Sequence, residues 1–382
     1  MRHEIADGLK ALALLGVFMV NGLGYALAPN YPMQLGTPTP IDSELAQAVY
    51  ALVLTLFMGK ALPFLAFLFG YSMALYGRRS GSSLVAIQHS LKRRNTKLLL
   101  IGVLHGALLY FGDILTAYAL MGLLLGGATL QRGRLLMRRW RWWAMLGILF
   151  FLPWLHLEWT HYQPNLDYDW SNAAPLLTQM TTFRQFVADN LGAYVAQTLG
   201  WLIVLAPLHM ALFLAGALAA RYRWLSMKPK LPHLFFRPWL YNSWSLALLA
   251  NALLAAATLQ TYRQDGQSAN IYWITLVNVP LGIWLVASSL TRMIRHIQIQ
   301  QTIPKWLVWL APAGRHTLVM YLGLSLVLTL SGRFGLFTPD AAWNHTAVWF
   351  LALLALWLGA VCMARLATEK QMRDPISRWL SR

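Results

Sequence analysis

The chain is short of acid. Its 382 residues hold 13 Asp and Glu against 31 Lys and Arg, and only 12% of positions are charged. Soluble domains carry about 25% charged residues. Half that share, with 58% apolar residues and 18 Trp, excludes an ordinary soluble domain and points to a polytopic membrane protein. Cysteine is almost absent as well. Cys362 stands alone, which excludes an intrachain disulfide and any cysteine-based metal site. P-loop, G-x-S-x-G and H-E-x-x-H patterns are missing, as are internal repeats and low-complexity tracts. Enzymes that depend on those motifs are excluded.

What remains is strongly basic, with a formal net charge of +18. Such a balance can signal nucleic acid. Here the cations sit in short segments between apolar runs, so the expected partner is the lipid bilayer and not nucleic acid. The N-terminus imitates a signal peptide, with Arg2, His3 and Lys10, an apolar run, then Ala26-Leu27-Ala28. The run is longer than a usual h-region, and Pro29 follows the apparent cleavage site. An uncleaved first transmembrane helix is the expectation.

A crossing needs about 20 apolar residues. Spans are expected at about 9–28, 61–77, 97–112, 114–131, 142–157, 191–219, 239–260, 271–290, 315–331 and 345–364. The short apolar stretch 45–58, followed by Gly59-Lys60, reads as an interfacial helix or the first half of a broken one. The connecting segments alternate in charge. Segments 78–97, 132–141, 221–237 and 292–305 are basic without acid, whereas 29–44 and 158–190 are acidic. Lys and Arg favour the cytoplasmic side. The expected fold is therefore all-α, a single integral membrane domain over 1–382 with about ten transmembrane helices and both termini in the cytoplasm.

Within this frame the stretch Gly102–Gly122, GVLHGALLYFGDILTAYALMG, is the most informative. Asp113 is the only acid between Glu44 and Glu158. A carboxylate among membrane helices costs roughly 2.5–3.5 kcal/mol on insertion scales, so it calls for a partner or a task. The topology places Asp113 at the outer end of a hairpin and His105 roughly 12 Å deeper. Direct contact between them requires a bend in the helix. Asp113 could instead cap the following helix, or pair with Lys60, which is also expected near the outer side. His105 lies in a G-x-x-x-G face, Gly102 to Gly106, that suits helix packing equally well. Asp7 and Lys10 read as an i,i+3 pair fixing the first helix.

The run Arg93–Leu125 resembles the signature of the DUF418, or YeiB-like, family of bacterial membrane proteins. The resemblance is carried by Gly102, His105, Gly112-Asp113-Ile114-Leu115, Tyr118-Ala119 and Gly122. Asp7, Lys10 and Asn21 are similar to the family's opening segment. Lys60, Phe69 and Gly70 resemble a second segment, and Gly314, Arg315, Tyr321 and Ser325 a third, within a C-terminal region of about 200–382. The family is grouped with transmembrane acyltransferases, including the lysosomal heparan-glucosaminide acetyltransferase. The resemblance implies an inner-membrane protein that moves an acyl group from cytoplasmic acyl-CoA, such as acetyl-CoA, to an outer glycan, lipid or small-metabolite acceptor. Asn21 matches an Asn that the lysosomal enzyme uses, but segment 22–44 has no counterpart of the His that follows it there.

Acyl transfer needs a base for the acceptor, donors for the developing oxyanion and cations for coenzyme A phosphates. The candidates are His105 as base, Asp113 as its orienting partner and Asn21 as oxyanion donor. Arg315 is a phosphate ligand candidate, and Lys60, Tyr118 and Tyr321 are binding residues. No metal is expected. Two other readings stay open: a proton-coupled small-molecule transporter using Asp113 and His105, and a non-catalytic membrane scaffold. The residues do not fix the oligomeric state.

Overall fold

The computed structural model describes residues 4–27, 44–79, 83–160, 183–227, 238–265, 270–333 and 346–370, with 372, 376, 379 and 380. Every regular element among them is helical: α1 (Glu4–Leu27), α2 (Glu44–Leu56), α3 (Ala61–Arg79), α4 (Leu84–Leu108), α5 (Leu115–Leu125), α6 (Gly133–Thr160), α7 (Phe183–Val204), α8 (Ala206–Arg221), the short α9 (Pro238–Asn242), α10 (Trp244–Asp265), α11 (Asn270–Gln300), α12 (Lys305–Arg315), α13 (Thr317–Arg333) and α14 (Thr346–Glu369), with a 3₁₀ turn at Gly126–Leu130. A bilayer offers the backbone no hydrogen-bond partners, and helices satisfy it internally.

Among the described residues four stretches are long and apolar enough to cross a membrane: Glu4–Gly22, Glu44–Tyr76, Val277–Gln300 and Val348–Glu369. The number rises to six if the bent pairs α7–α8 and α12–α13 each count as one span. The two pairs turn by 69° and 77°. The stretch 191–219, expected as one helix, is broken at Leu205. Pro207 lies at the start of α8; its missing N–H and its ring end the preceding helix. The basic segments are also more helical than expected. The N-terminal part of α4 carries Lys92, Arg93, Arg94 and Lys97, and that of α6 carries Arg134, Arg138, Arg139 and Arg141. Lys and Arg are good helix formers, so the helices run on past their apolar portions. Ser83 starts α4 by accepting from the amide of Ala86 at 3.3 Å, as N-caps do.

Packing sorts these helices into inner and outer ones. The apolar stretch of α1 is 72% buried and that of α14 only 22%, so α1 runs through the bundle and α14 lines its edge. The interfaces are close because glycines face backbone. A Cβ on Gly70 of α3 would fall on the carbonyl of Phe213 in α8, and one on Gly216 would fall on the carbonyl of Phe67. Without a hydrophobic drive between helices in lipid, such close approach supplies the dispersion contact that holds them. α1 and α12 meet in the same manner at Gly8 against Leu307 and Gly314 against Asp7.

Lys60 does not reach Asp113. It is 3% exposed, in the turn between α2 and α3, where Gly59 adopts φ +72°. Its ammonium donates to the carbonyl of Leu54 at 2.7 Å and to Asn278 Oδ1 in α11 at 2.6 Å. Leu54 belongs to the last turn of α2, whose carbonyls lack partners once the helix stops, and a cation there also complements the helix dipole. The side chain therefore seals a helix end and ties it to α11. Lys60→Met leaves both acceptors buried and unpaired, and is expected to cost about 1–3 kcal/mol, read as a lower Tm in detergent. A double mutant exchanging the charges of Lys60 and Asp113 is expected to show additive losses; recovery would contradict the contacts described.

Candidate functional site

The polar centre forms where α4 stops. The helix ends at Leu108, and the amides of Leu109 and Tyr110 both return to the carbonyl of His105 at 3.0 and 2.9 Å. The chain then turns through Gly112 and enters α5. This supplies the bend that His105 and Asp113 need. His105 Nδ1 lies 2.9 Å from Asp113 Oδ1, and the two side chains are 2% and 0% exposed. Asp113 Oδ2 accepts from the amide of Thr116 at 2.7 Å. One carboxylate thus caps α5 and holds the imidazole, so its two roles are not alternatives.

An ionised carboxylate only accepts. The proton of a neutral His105 must then sit on Nδ1, and Nε2 carries a lone pair. That Nε2 is buried and has no hydrogen-bond partner among the described residues. An imidazole oriented by a carboxylate, with its far nitrogen free to accept, is the arrangement of a general base.

Two further helices enclose the pair. Tyr321 of α13, 208 positions along the chain, places its hydroxyl 3.5 Å from Asp113 Oδ1 and accepts from the amide of Ile114 at 3.3 Å. Its ring centroid lies 5.0 Å from that of His105. Tyr194 of α7 shares a 2.8 Å hydroxyl contact with Thr116. Asn190, also on α7, donates to the carbonyls of Gly106 and Ala107 at 2.6 and 2.8 Å, near the frayed end of α4. Gly102 and Gly106 make room for this. A Cβ on Gly102 would come within 2.6 Å of the Thr116 amide, and one on Gly106 would enter the Tyr194 ring. The G-x-x-x-G face serves packing, and what it packs is the site.

A cavity of about 50 Å³ reaches Asp113 between α5, α7 and α8, lined also by Tyr118, Gln197, Thr198, Trp201 and His209 among others. One water needs roughly 10–15 Å³, so this is space for a few waters or a small polar group. The Tyr118 hydroxyl donates to the carbonyl of Leu62 at 2.8 Å. The His209 Nδ1 meets the carbonyl of Leu205 at 2.9 Å. A carbonyl only accepts, so the neutral ring keeps its lone pair on a buried, unpartnered Nε2.

The other sequence candidates lie apart. Arg315, at the end of α12, faces Asp7 with Nε 3.6 Å from Oδ2, and Lys10 donates to Asp7 Oδ1 at 3.0 Å. The expected Asp7–Lys10 pair is present, and Arg315 joins it. Asn21 makes no hydrogen bond to His105 or Asp113; the neighbouring Gly22 carbonyl accepts from the Trp349 indole at 2.6 Å. Lys60 sits in its own buried contact. Among the described residues no group of three or more His, Cys, Asp or Glu could hold a metal. Sequence reasoning missed Thr116, Asn190, Tyr194 and Asn278. A lone Asn inside an apolar run was the signal for two of them, because an amide in a membrane helix needs a partner on another helix.

No family model matches this chain. It is similar to the uncharacterised Bacillus subtilis protein YxaH, 25% identical over 244 residues. The match covers 59% of each chain, so this chain spans about three fifths of that relative's length.

Proposed function

We propose that the protein is a membrane acyltransferase of about ten spans, with both termini in the cytoplasm, in the bacterial inner membrane. The observation that carries this reading is the free Nε2 of a buried imidazole held by Asp113. The resemblance to DUF418 proteins supports it. In the reaction, His105 Nε2 takes the proton of an acceptor hydroxyl or amine. The acceptor atom then bonds to the thioester carbonyl carbon, the carbon–sulfur bond breaks, and the imidazolium returns its proton to the departing thiolate. Asp113 holds the ring and stabilises its charged form. Tyr321 steadies Asp113, and the cavity beside Tyr118 and His209 reaches Asp113. Arg315, already paired with Asp7, and Asn21, away from the dyad, are assigned no chemical step.

Acetyl-CoA is the probe. Wild type in detergent is expected to bind it saturably and to release free thiol when acceptors are supplied. His105→Ala is expected to keep binding and lose about 10²–10⁴-fold in thiol release. A folded protein that does not bind acetyl-CoA defeats the proposal.

A second reading has its own observation. The chain is interrupted inside apolar stretches at Gly59, Leu205 and His316, and broken helices are a mark of transporters. Proton uptake by liposomes containing the protein, driven by a candidate solute and lost in His105→Ala, would favour transport over acyl transfer.

The orientation follows from the charge alternation. In a Cys362→Ser background, Val85→Cys is expected to be inaccessible to a membrane-impermeant maleimide added outside cells, and Asn165→Cys accessible. The reverse pattern inverts the topology.

A further inference from the structure

The start of α6 carries a feature that the proposed chemistry does not use. Arg134, Arg138 and Arg141 follow at i, i+4 and i+7, so they share one helix face. They line a groove of about 630 Å³ with Trp142, Met145 and Tyr222, a volume in the range of ligand clefts. Tyr222 closes one end, its hydroxyl 2.8 Å from where a Cβ on Gly133 would lie. None of the three guanidiniums has a carboxylate or aromatic-ring partner among the described residues. Other arginines do: Arg292 and Arg295 lie over Trp244 and Tyr241, and Arg365 pairs with Glu369.

We infer that this groove binds the phosphate of an anionic phospholipid. Planar guanidiniums match phosphate oxygens two at a time, and three on one face offer more than a single monoanion needs. The same face continues without interruption into apolar side chains. Met145, Ile148, Leu149 and Leu152 are each half or more exposed, and Ile148 to Leu152 extend the stripe by the same helical spacing. From Arg134 to Leu152 the stripe runs roughly 27 Å, charged at one end and apolar for the rest. That is the layout of one lipid molecule, head on the arginines and acyl chain along α6. A soluble phosphate compound would leave the apolar half uncovered. Arginines that only set topology need no shared face, and Arg132 and Arg139, which do not line the groove, meet that requirement by themselves.

The test is thermal stability of the full-length protein in detergent. Dioctanoyl-phosphatidylglycerol is expected to raise Tm saturably by roughly 3 °C or more, and dioctanoyl-phosphatidylcholine and inorganic phosphate to leave it unchanged. The double variant Arg138→Gln/Arg141→Gln is expected to lose the response. Arg132→Gln/Arg139→Gln removes the same charge from outside the groove and is expected to keep it. Equal stabilisation by phosphatidylcholine, a comparable response to phosphate, or a groove variant that responds like wild type would each overturn the inference. If the groove variant does not fold, native mass spectrometry of wild type decides. Bound phosphatidylglycerol must survive an excess of phosphatidylcholine, and its displacement refutes the site.

Discussion

Asp113→Asn is expected to abolish the activity of the site while leaving a folded protein. The substitution keeps size and shape but changes what the group can offer. The carboxylate accepts from His105 Nδ1 at 2.9 Å, from the Thr116 amide at 2.7 Å and from the Tyr321 hydroxyl at 3.5 Å. An amide has one acceptor oxygen and one donor nitrogen. If its oxygen faces Thr116, its nitrogen faces His105 and drives the imidazole proton to Nε2, where the lone pair is needed. If its oxygen faces His105, its nitrogen opposes the Thr116 N–H and the cap of α5 is lost. The second outcome costs about 1–2 kcal/mol. The first costs the base, worth about 10²–10⁴-fold in rate. The tautomer can be read apart from turnover, by the ¹⁵N resonance of His105 Nε2, which differs sharply between a lone pair and an N–H. A variant with wild-type activity and an unprotonated Nε2 would show that Asp113 does not set the imidazole. A scaffold would show loss of stability alone, so activity and Tm measured on the same sample also separate that reading.

The elements were legible in the sequence where composition alone decides them. Apolar runs marked the helices, and the Gly112-Asp113 turn marked the hairpin of α4 and α5. The lone acid and a nearby His marked the site, because a carboxylate in lipid must be explained. What local pattern does not encode is which distant side chain answers a polar group. Tyr321 reaches Asp113 across 208 positions and Asn278 reaches Lys60 across 218. Between lipid-facing helices every apolar surface resembles every other, so register is set by small residues and single hydrogen bonds. That is why Asn278, and not the Asp113 offered as one alternative, answers Lys60. Its rank as an isolated cation was visible; the helix end it seals was not. The bend at Leu205 was written in Pro207, and the two unsatisfied imidazole nitrogens were beyond sequence reasoning, since they follow from tautomers fixed by contacts made elsewhere.

The largest effect on stability is expected where α3 and α8 touch. Gly70 and Gly216 face the carbonyls of Phe213 and Phe67, a reciprocal pair with the same i,i+3 step on each helix. No side-chain movement can relieve a methyl group placed there, because what it meets is backbone. Gly70→Ala or Gly216→Ala must push the helices apart, and every contact along the interface lengthens with them. Overpacking costs about 1–3 kcal/mol and more where nothing yields, so each substitution is expected at or above the upper end. The intrinsic preference of helices for Ala over Gly, about 1 kcal/mol, works in the opposite direction and is too small to compensate. The two sites share one interface, and separation forced by the first makes room for the second. The double mutant is therefore expected to cost less than the sum of the singles. Tm of the three variants in one detergent measures this. The consequence reaches the site: Phe213 packs on Phe69 with ring centroids 5.8 Å apart, and Phe69 stacks on Tyr118 at 5.8 Å. A widened interface would shift Tyr118 at the cavity edge, so activity is expected to fall before the fold is lost. Gly70→Ala with unchanged Tm would mean that the two helices do not meet at these glycines.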